Sequence, residues 1–230
     1  MATVENHLIG LLPRKDRSRL LARCESVELK LSEVLSHAGE PTRYAYFPTE
    51  GFISLVMMVD GNPALELGMV GREGMLGAQL ALGVTTAPLD ALVQGEGLAW
   101  RIGASALRRE LAASPALQRG LSRYVYVLMA QMAESAGCLR YHQISQRLAR
   151  WLLMSQDRAH KNNFRVTHEF LAFMLGVRRV GITNAAGELQ RTGLIEYRRG
   201  NVTVLNRKGL EAAACSCYAA DRRIYAALLT

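Results

Sequence analysis

At 230 residues, half of them apolar, the chain can bury a good core as one large domain or two ordinary ones, and a folded globular protein is expected. Its 28 Lys and Arg against 20 Asp and Glu leave a formal charge of +8, enough to attract an anionic partner without identifying one. The longest apolar run, ISLVMMV at 53 to 59, is far too short to span a bilayer, and no basic segment precedes an apolar stretch at the N-terminus, so a soluble cytoplasmic chain without a membrane partner is expected.

The charge is unevenly placed. Residues 1 to 139 hold 13 Lys/Arg and 14 Asp/Glu, whereas residues 140 to 230 hold 15 and 6. Such a split suggests a nearly neutral module followed by one built to meet a polyanion. Cys24, Cys138, Cys215 and Cys217 do not amount to a disulfide framework in a chain of this size, so reduced thiols are the default.

In chain order, residues 3 to 24 carry apolar positions at helical spacing interrupted by Pro13, which predicts two short helices. From about 27 to 102 the texture changes to short β-prone runs (VELKL, YAYFP, FISLVMMV, ALELGMV, DALVQ, LAWRI) punctuated by glycine, with Asp60-Gly61-Asn62 as a hairpin signal. Close, regular strands of this kind imply a small antiparallel barrel or sandwich. Residues 104 to 139 are helical again, and Ser114-Pro115 offers an N-cap and first-turn proline for a long second helix. Along it Leu121, Val125, Leu128, Met132, Ser135 and Leu139 recur at spacings of four and three. That pattern suits either a dimer seam or a helix packed on its own β-domain. A further amphipathic helix covers 141 to 159, and HKNNF reads as a polar break.

The next segment, VTHEFLAFMLGVRRVGITNAAGELQRTGLIEYRRG, carries the chemistry. Thr167 is a good N-cap and Glu169 suits the first turn of a helix that ends at Gly176. A second helix runs from about Arg178 to Arg191, with Val180, Ala185, Ala186 and Leu189 available for burial. Counting His168 as one, Ala172 is fifth, Gly176 ninth and Ile182 fifteenth, the spacing of a helix-turn-helix. Arg178, Arg179, Thr183 and Asn184 would then face outward near the start of the second helix, the part that enters a major groove. Arginine can bond guanine O6/N7 and asparagine adenine N6/N7. LIEYRRGNVTVLN reads as a hairpin whose basic tip, Arg198 and Arg199, would reach phosphate oxygens. The competing reading is an ordinary helical hairpin with solvated arginines; the basic wing and the C-terminal charge favour double-stranded DNA. Thr167 and His168 complete the candidate DNA-binding set.

The residues GREGMLGAQLALG at 71 to 83 and VTHEFLAFMLGVRRVGITNAAGELQRTGLIEYRRGNVTVLNRKGLE at 166 to 211, with the element order, resemble the Crp/Fnr family of bacterial transcription regulators. The resemblance implies an α+β chain: a cyclic-nucleotide-binding-like β-roll (a double-stranded jelly roll) over 1–113, a dimerisation helix over 114–139 and a winged helix-turn-helix over 140–230. It implies a homodimer whose interface is the seam from Leu121 to Leu139, a small-molecule effector of unknown identity, RNA polymerase as a further partner, and no catalysis. Laid on the family's recognition helix, its first arginine matches Arg179, but Val180 stands where a glutamate is usual and Asn184 where a second arginine is. The best-known family operator is therefore not expected.

In cyclic-nucleotide-binding members a glutamate follows the glycine of the phosphate loop and a downstream arginine neutralises the cyclic phosphate. Here Gly77 matches that glycine, Ala78 and Gln79 follow, and no Arg or Lys occurs from 75 to 100. A buried phosphate without its cation costs several kcal/mol, so cAMP is not the expected effector. Only Cys24 lies near the N-terminus, against a four-thiolate iron–sulfur centre of the Fnr type, and His7 or His37 would be the candidates for a haem-type ligand. Cys215-Ser216-Cys217 lacks two partners as a metal site and reads first as small buried side chains, so neither a metal nor a cofactor is expected. No nucleophilic triad, P-loop or HExxH is present. The alternatives are a ligand-sensing protein acting through protein partners with a degenerate DNA-binding module, and a redox sensor working through Cys215 and Cys217.

Overall fold

The computed structural model describes residues 6–58, 65–159 and 161–229. Strands β1 (Glu25–Leu29), β2 (Val34–Ser36), β3 (Tyr44–Pro48), β4 (Phe52–Met57), β5 (Leu65–Val70), β6 (Asp90–Gly95) and β7 (Gly97–Gly103) make two antiparallel sheets, ordered β1-β7-β3 and β2-β6-β4-β5. Leu29, Tyr46 and Ala99 from the first sheet pack with Ile53, Leu55, Val70, Ala91 and Val93 from the second. Successive side chains on a strand point to opposite faces, so β4 serves two cores. Ile53 and Leu55 enter the inter-sheet core, whereas Phe52 joins a cluster with Trp151 and Leu152 of the following module. Six of the seven strands coincide with the β-prone runs; β2, three residues long, has no such run of its own. The hairpin signal Asp60-Gly61-Asn62 lies outside the described residues, although β4 and β5 on either side pair antiparallel.

Helices α1 (His7–Gly10) and α2 (Arg14–Leu21) flank Pro13, as its missing N–H and fixed φ require. The buried Asn6 accepts from the Ile9 N–H and donates to the carbonyls of Pro48 and Gly74, tying α1 to the sheet. After α3 (Ala104–Ala113), Ser114 caps α4 (Pro115–Tyr141) by accepting from the Leu117 N–H at 3.1 Å. The inward side of α4 carries Leu117, Leu121, Tyr124, Val127, Gln131, Ser135 and Cys138. Burying Leu121, Tyr124 and Val127 contributes about 2 kcal/mol each, which holds the helix to its own chain.

That packing divides the heptad-like seam. Leu121 and Ser135 are buried within the chain, while Val125, Leu128, Met132 and Leu139 are half-buried at its flank. The outermost stripe lies one position further on, through Ser122, Tyr126, Met129, Ala133, Ala136 and Arg140. A 27-residue helix has room for two parallel seams, and periodicity alone does not say which of them faces inward.

The C-terminal module comprises α5 (Ile144–Ala159), β8 (Asn163–Arg165), α6 (His168–Leu175), α7 (Arg179–Arg191), β9 (Ile195–Arg198), β10 (Asn201–Val204), α8 (Arg207–Ala213) and α9 (Ser216–Leu228). Helix α9 returns to α4 and places Leu229 in one core with Leu8, Leu107 and Leu121. His7 Nε2 lies 2.5 Å from the Leu229 carbonyl, so the start of α1 meets the residue that follows α9. Two buried arginines form ion pairs: Arg158 reaches across to Glu73 of the β-roll at 2.8 Å, and Arg150 ties α5 to α9 through Asp221 at 2.6 Å. No described helix is long and apolar enough to cross a membrane.

Candidate nucleic-acid interface

Helices α6 and α7 are held by the three spaced residues. Ala172 and Ile182 are buried, and Gly176 ends α6 with φ 58°, a left-handed conformation that glycine adopts without steric cost. Thr167 caps α6 by accepting from the Phe170 N–H at 3.1 Å, and the buried Arg147 donates to the Leu175 carbonyl at the other end of the helix. Leu171 and Leu175 pack in one cluster with Ala185, Ala186 and Leu189 beneath α5. Val180 departs from expectation: it is 63% exposed, because a helix that buries Ile182, Ala185, Ala186 and Leu189 turns position 180 to the opposite face.

Arg178, Arg179, Thr183 and Asn184 are all exposed on that outer face. Thr183 Oγ1 donates to the Arg179 carbonyl at 3.2 Å and lies 3.1 Å from Nδ1 of His168, whose ring stacks on Tyr197 at 4.3 Å. Burial, with Arg179 nearby, holds the His168 imidazole below its ordinary pKa. Thr167 therefore spends its hydroxyl on capping α6 and His168 its Nδ1 on Thr183, with Thr167 still exposed and His168 partly buried.

The wing is a two-residue hairpin. Arg199 (φ 48°) and Gly200 (φ 78°) both adopt positive φ, which matches the twist of the flanking strands β9 and β10. Arg198 and Arg199 are exposed at the tip, and Arg198 also pairs loosely with Glu196 at 3.2 Å. The Val166 N–H donates to the Gly200 carbonyl, anchoring the wing beside the start of α6. The sheet has a third strand, β8, in the order β8-β10-β9, within what reads as a polar break. It sets the exposed Arg165 opposite Asn201, next to the tip. Only the pairing with β10 reveals this arginine, since NFR is too short for a period of its own.

In the β-roll, a cavity of about 160 Å³ lies between the sheets and α4. Gly77, Ala78 and Gln79 line it with Leu89, Leu128, Met129 and Met132, and none of its lining residues is charged. The Gln79 amide is engaged, donating to Thr42 Oγ1 at 2.8 Å. Of the two histidines considered as ligands, His37 lies exposed beside Asp90 and His7 faces the Leu229 carbonyl.

The cysteines depart from the sequence-based expectation. Cys215 and Cys217 have two partners after all: Cys138 Sγ is 3.5 Å from Cys215 Sγ, and His142 Nδ1 is 3.5 Å from Cys217 Sγ. These partners lie more than 70 residues upstream, so spacing around the Cys-x-Cys pair could not show them.

Comparison with known proteins agrees with this architecture. Residues 146–213 match the Crp-like helix-turn-helix domain family. The chain is 26% identical over 201 residues to the transcriptional regulator SdrP of Thermus thermophilus, covering 83% of this chain and 94% of that protein. Its fold is similar to FixK2 from Bradyrhizobium japonicum, with a TM-score of 0.70 at 14% identity over 84% of this chain and 98% of the other. It is likewise similar to a CRP/FNR-family transcriptional regulator of known structure from Thermus thermophilus, with a TM-score of 0.68 at 24% identity over 83% and 98%. Residues 146–213 thus form a Crp-like helix-turn-helix domain, and with a basic wing behind a β-roll and a long helix the chain as a whole is similar to Crp/Fnr transcription regulators.

Proposed function

We propose that the protein is a homodimeric, sequence-specific, cytoplasmic DNA-binding regulator whose two α7 helices enter successive major grooves about 34 Å apart on a two-fold-related site. The observation that carries this reading is the outer face of α7: exposed Arg178, Arg179, Thr183 and Asn184 on a frame locked by Ala172, Gly176 and Ile182. Arg179 and Asn184 read bases, and Val180 meets an apolar base edge such as a thymine methyl. Arg165, Arg198 and Arg199 hold phosphate. The dimer forms along α4 through Tyr126, Met129, Ala133 and Ala136, flanked by Val125, Leu128, Met132 and Leu139; Tyr126 and Met129 are 60% and 64% exposed.

The β-roll cavity favours an uncharged, largely apolar effector over a cyclic nucleotide, because its lining offers no cation to a phosphate. RNA polymerase is the further partner that transcription regulation requires. Selecting bound duplexes from a random pool with purified protein, then titrating salt on the winner, tests the reading. A two-fold-symmetric site with a steep salt slope is expected; absence of enrichment with and without candidate effectors would sink it.

A further inference from the structure

Four potential ligands converge where the two modules join. Cys138 is in the last turn of α4, and His142 is its C-terminal cap residue, one turn further on. Cys215 caps the N-terminus of α9, and Cys217 lies in its first turn. All three thiols are buried and His142 is partly so. The four ligand atoms, three Sγ and one imidazole nitrogen, lie within 4.8 Å of one another.

These distances suit a single tetrahedral ion. With Zn–S near 2.3 Å and Zn–N near 2.0 Å, tetrahedral ligands sit about 3.8 Å apart for two sulfurs and about 3.5 Å for sulfur and nitrogen. Two of the separations, Cys138–Cys215 and Cys217–His142, are 3.5 Å each. An iron–sulfur cluster, with several irons between its thiolates, needs a wider spread. Soft thiolates with one imidazole select zinc over the hard oxygen-seeking cations. The charge also balances: zinc on three thiolates carries one net negative charge, and the buried group of Arg147, Arg150 and Asp221 carries one net positive.

We propose that Cys138, His142, Cys215 and Cys217 form a Cys3His zinc site that clamps the end of α4 to the start of α9. Its position matters because only His142 and Gln143 separate α4 from α5, the entry into the DNA-binding module. The ion fastens this joint to the helix that returns to the β-roll. Binding displaces a proton from each thiol, so it weakens as pH falls.

The test uses the full-length protein, purified without chelator from zinc-supplemented cells. Elemental analysis should find about one zinc per chain, retained on desalting. Cobalt replacing zinc in the purified protein should give the visible bands and thiolate charge-transfer absorption of a tetrahedral thiolate site. Cys217→Ser and His142→Ala should each lower zinc retention and alter the cobalt spectrum, while Cys24→Ser, outside the cluster, should leave both unchanged. A folded wild-type protein with all four thiols reduced that retains no zinc and stays colourless with cobalt would overturn the proposal. So would a Cys138–Cys215 disulfide under reducing purification, seen as the loss of two titratable thiols.

Discussion

The cavity of the β-roll and the outer face of α7 present opposite chemistry. The cavity is lined without a charged side chain, whereas α7 and the wing expose arginines. A buried phosphate needs a buried cation, but DNA phosphates meet a protein in water, where flexible exposed arginines suffice. The exposed arginines that an anion could meet therefore lie in the C-terminal module, whereas the lining of the β-roll cavity supplies no cation to pair with a phosphate.

The dimer face tests this contrast most severely. Tyr126→Glu with Met129→Glu should give monomers by sedimentation and weaken binding to a two-fold site by about 100-fold or more, because the second half-site loses its effective concentration. Next, Arg179→Ala should cost about 1–3 kcal/mol on the preferred site and relax preference at one base position, seen by repeating the selection. Equal losses on all sequences would reassign Arg179 to backbone.

Glu66 tests the joint between the two regions. Burial pushes its carboxyl up to about 7, opposed by donation from Ser54 and by the charge of Arg158. With a folded pKa above the unfolded one, the native state holds the extra proton, so stability is highest at low pH and falls as pH rises from about 4.5 to 7. Glu66→Gln should flatten that slope, about 1–2 kcal/mol between pH 5 and 8 by urea unfolding. Arg199→Asn, which preserves the left-handed turn, should weaken all sequences alike and reduce the salt slope by about one. Adding cAMP should leave the melting midpoint unchanged; a clear upward shift would mean that the cavity recruits a cation absent from its lining.

Much of this architecture was legible without coordinates. Strand-length runs, the Ser114-Pro115 cap and the Ala172, Gly176, Ile182 spacing are local signals, each dictated by backbone geometry within a few residues. The less legible features involve pairing over distance. Strand β8 exists because β10 pairs with it, and that pairing sets Arg165 beside the wing. Val180 looked apolar enough to bury, yet its neighbours on α7 had already claimed the inner face.

The order of residues by itself determined the element types, the position of the helix-turn-helix and the absence of a cation from the phosphate-loop region, because periodicity, caps and composition act locally. Tertiary structure alone decided which of two α4 seams turned inward, since both satisfy helical spacing and only packing against the β-roll distinguishes them. It also decided that Cys138 and His142 meet Cys215 and Cys217. That encounter depends on α9 folding back along α4, where Ile224, Tyr225, Leu228 and Leu229 pack into the core that holds Leu121 and Tyr124, a long-range packing outcome that no local pattern encodes.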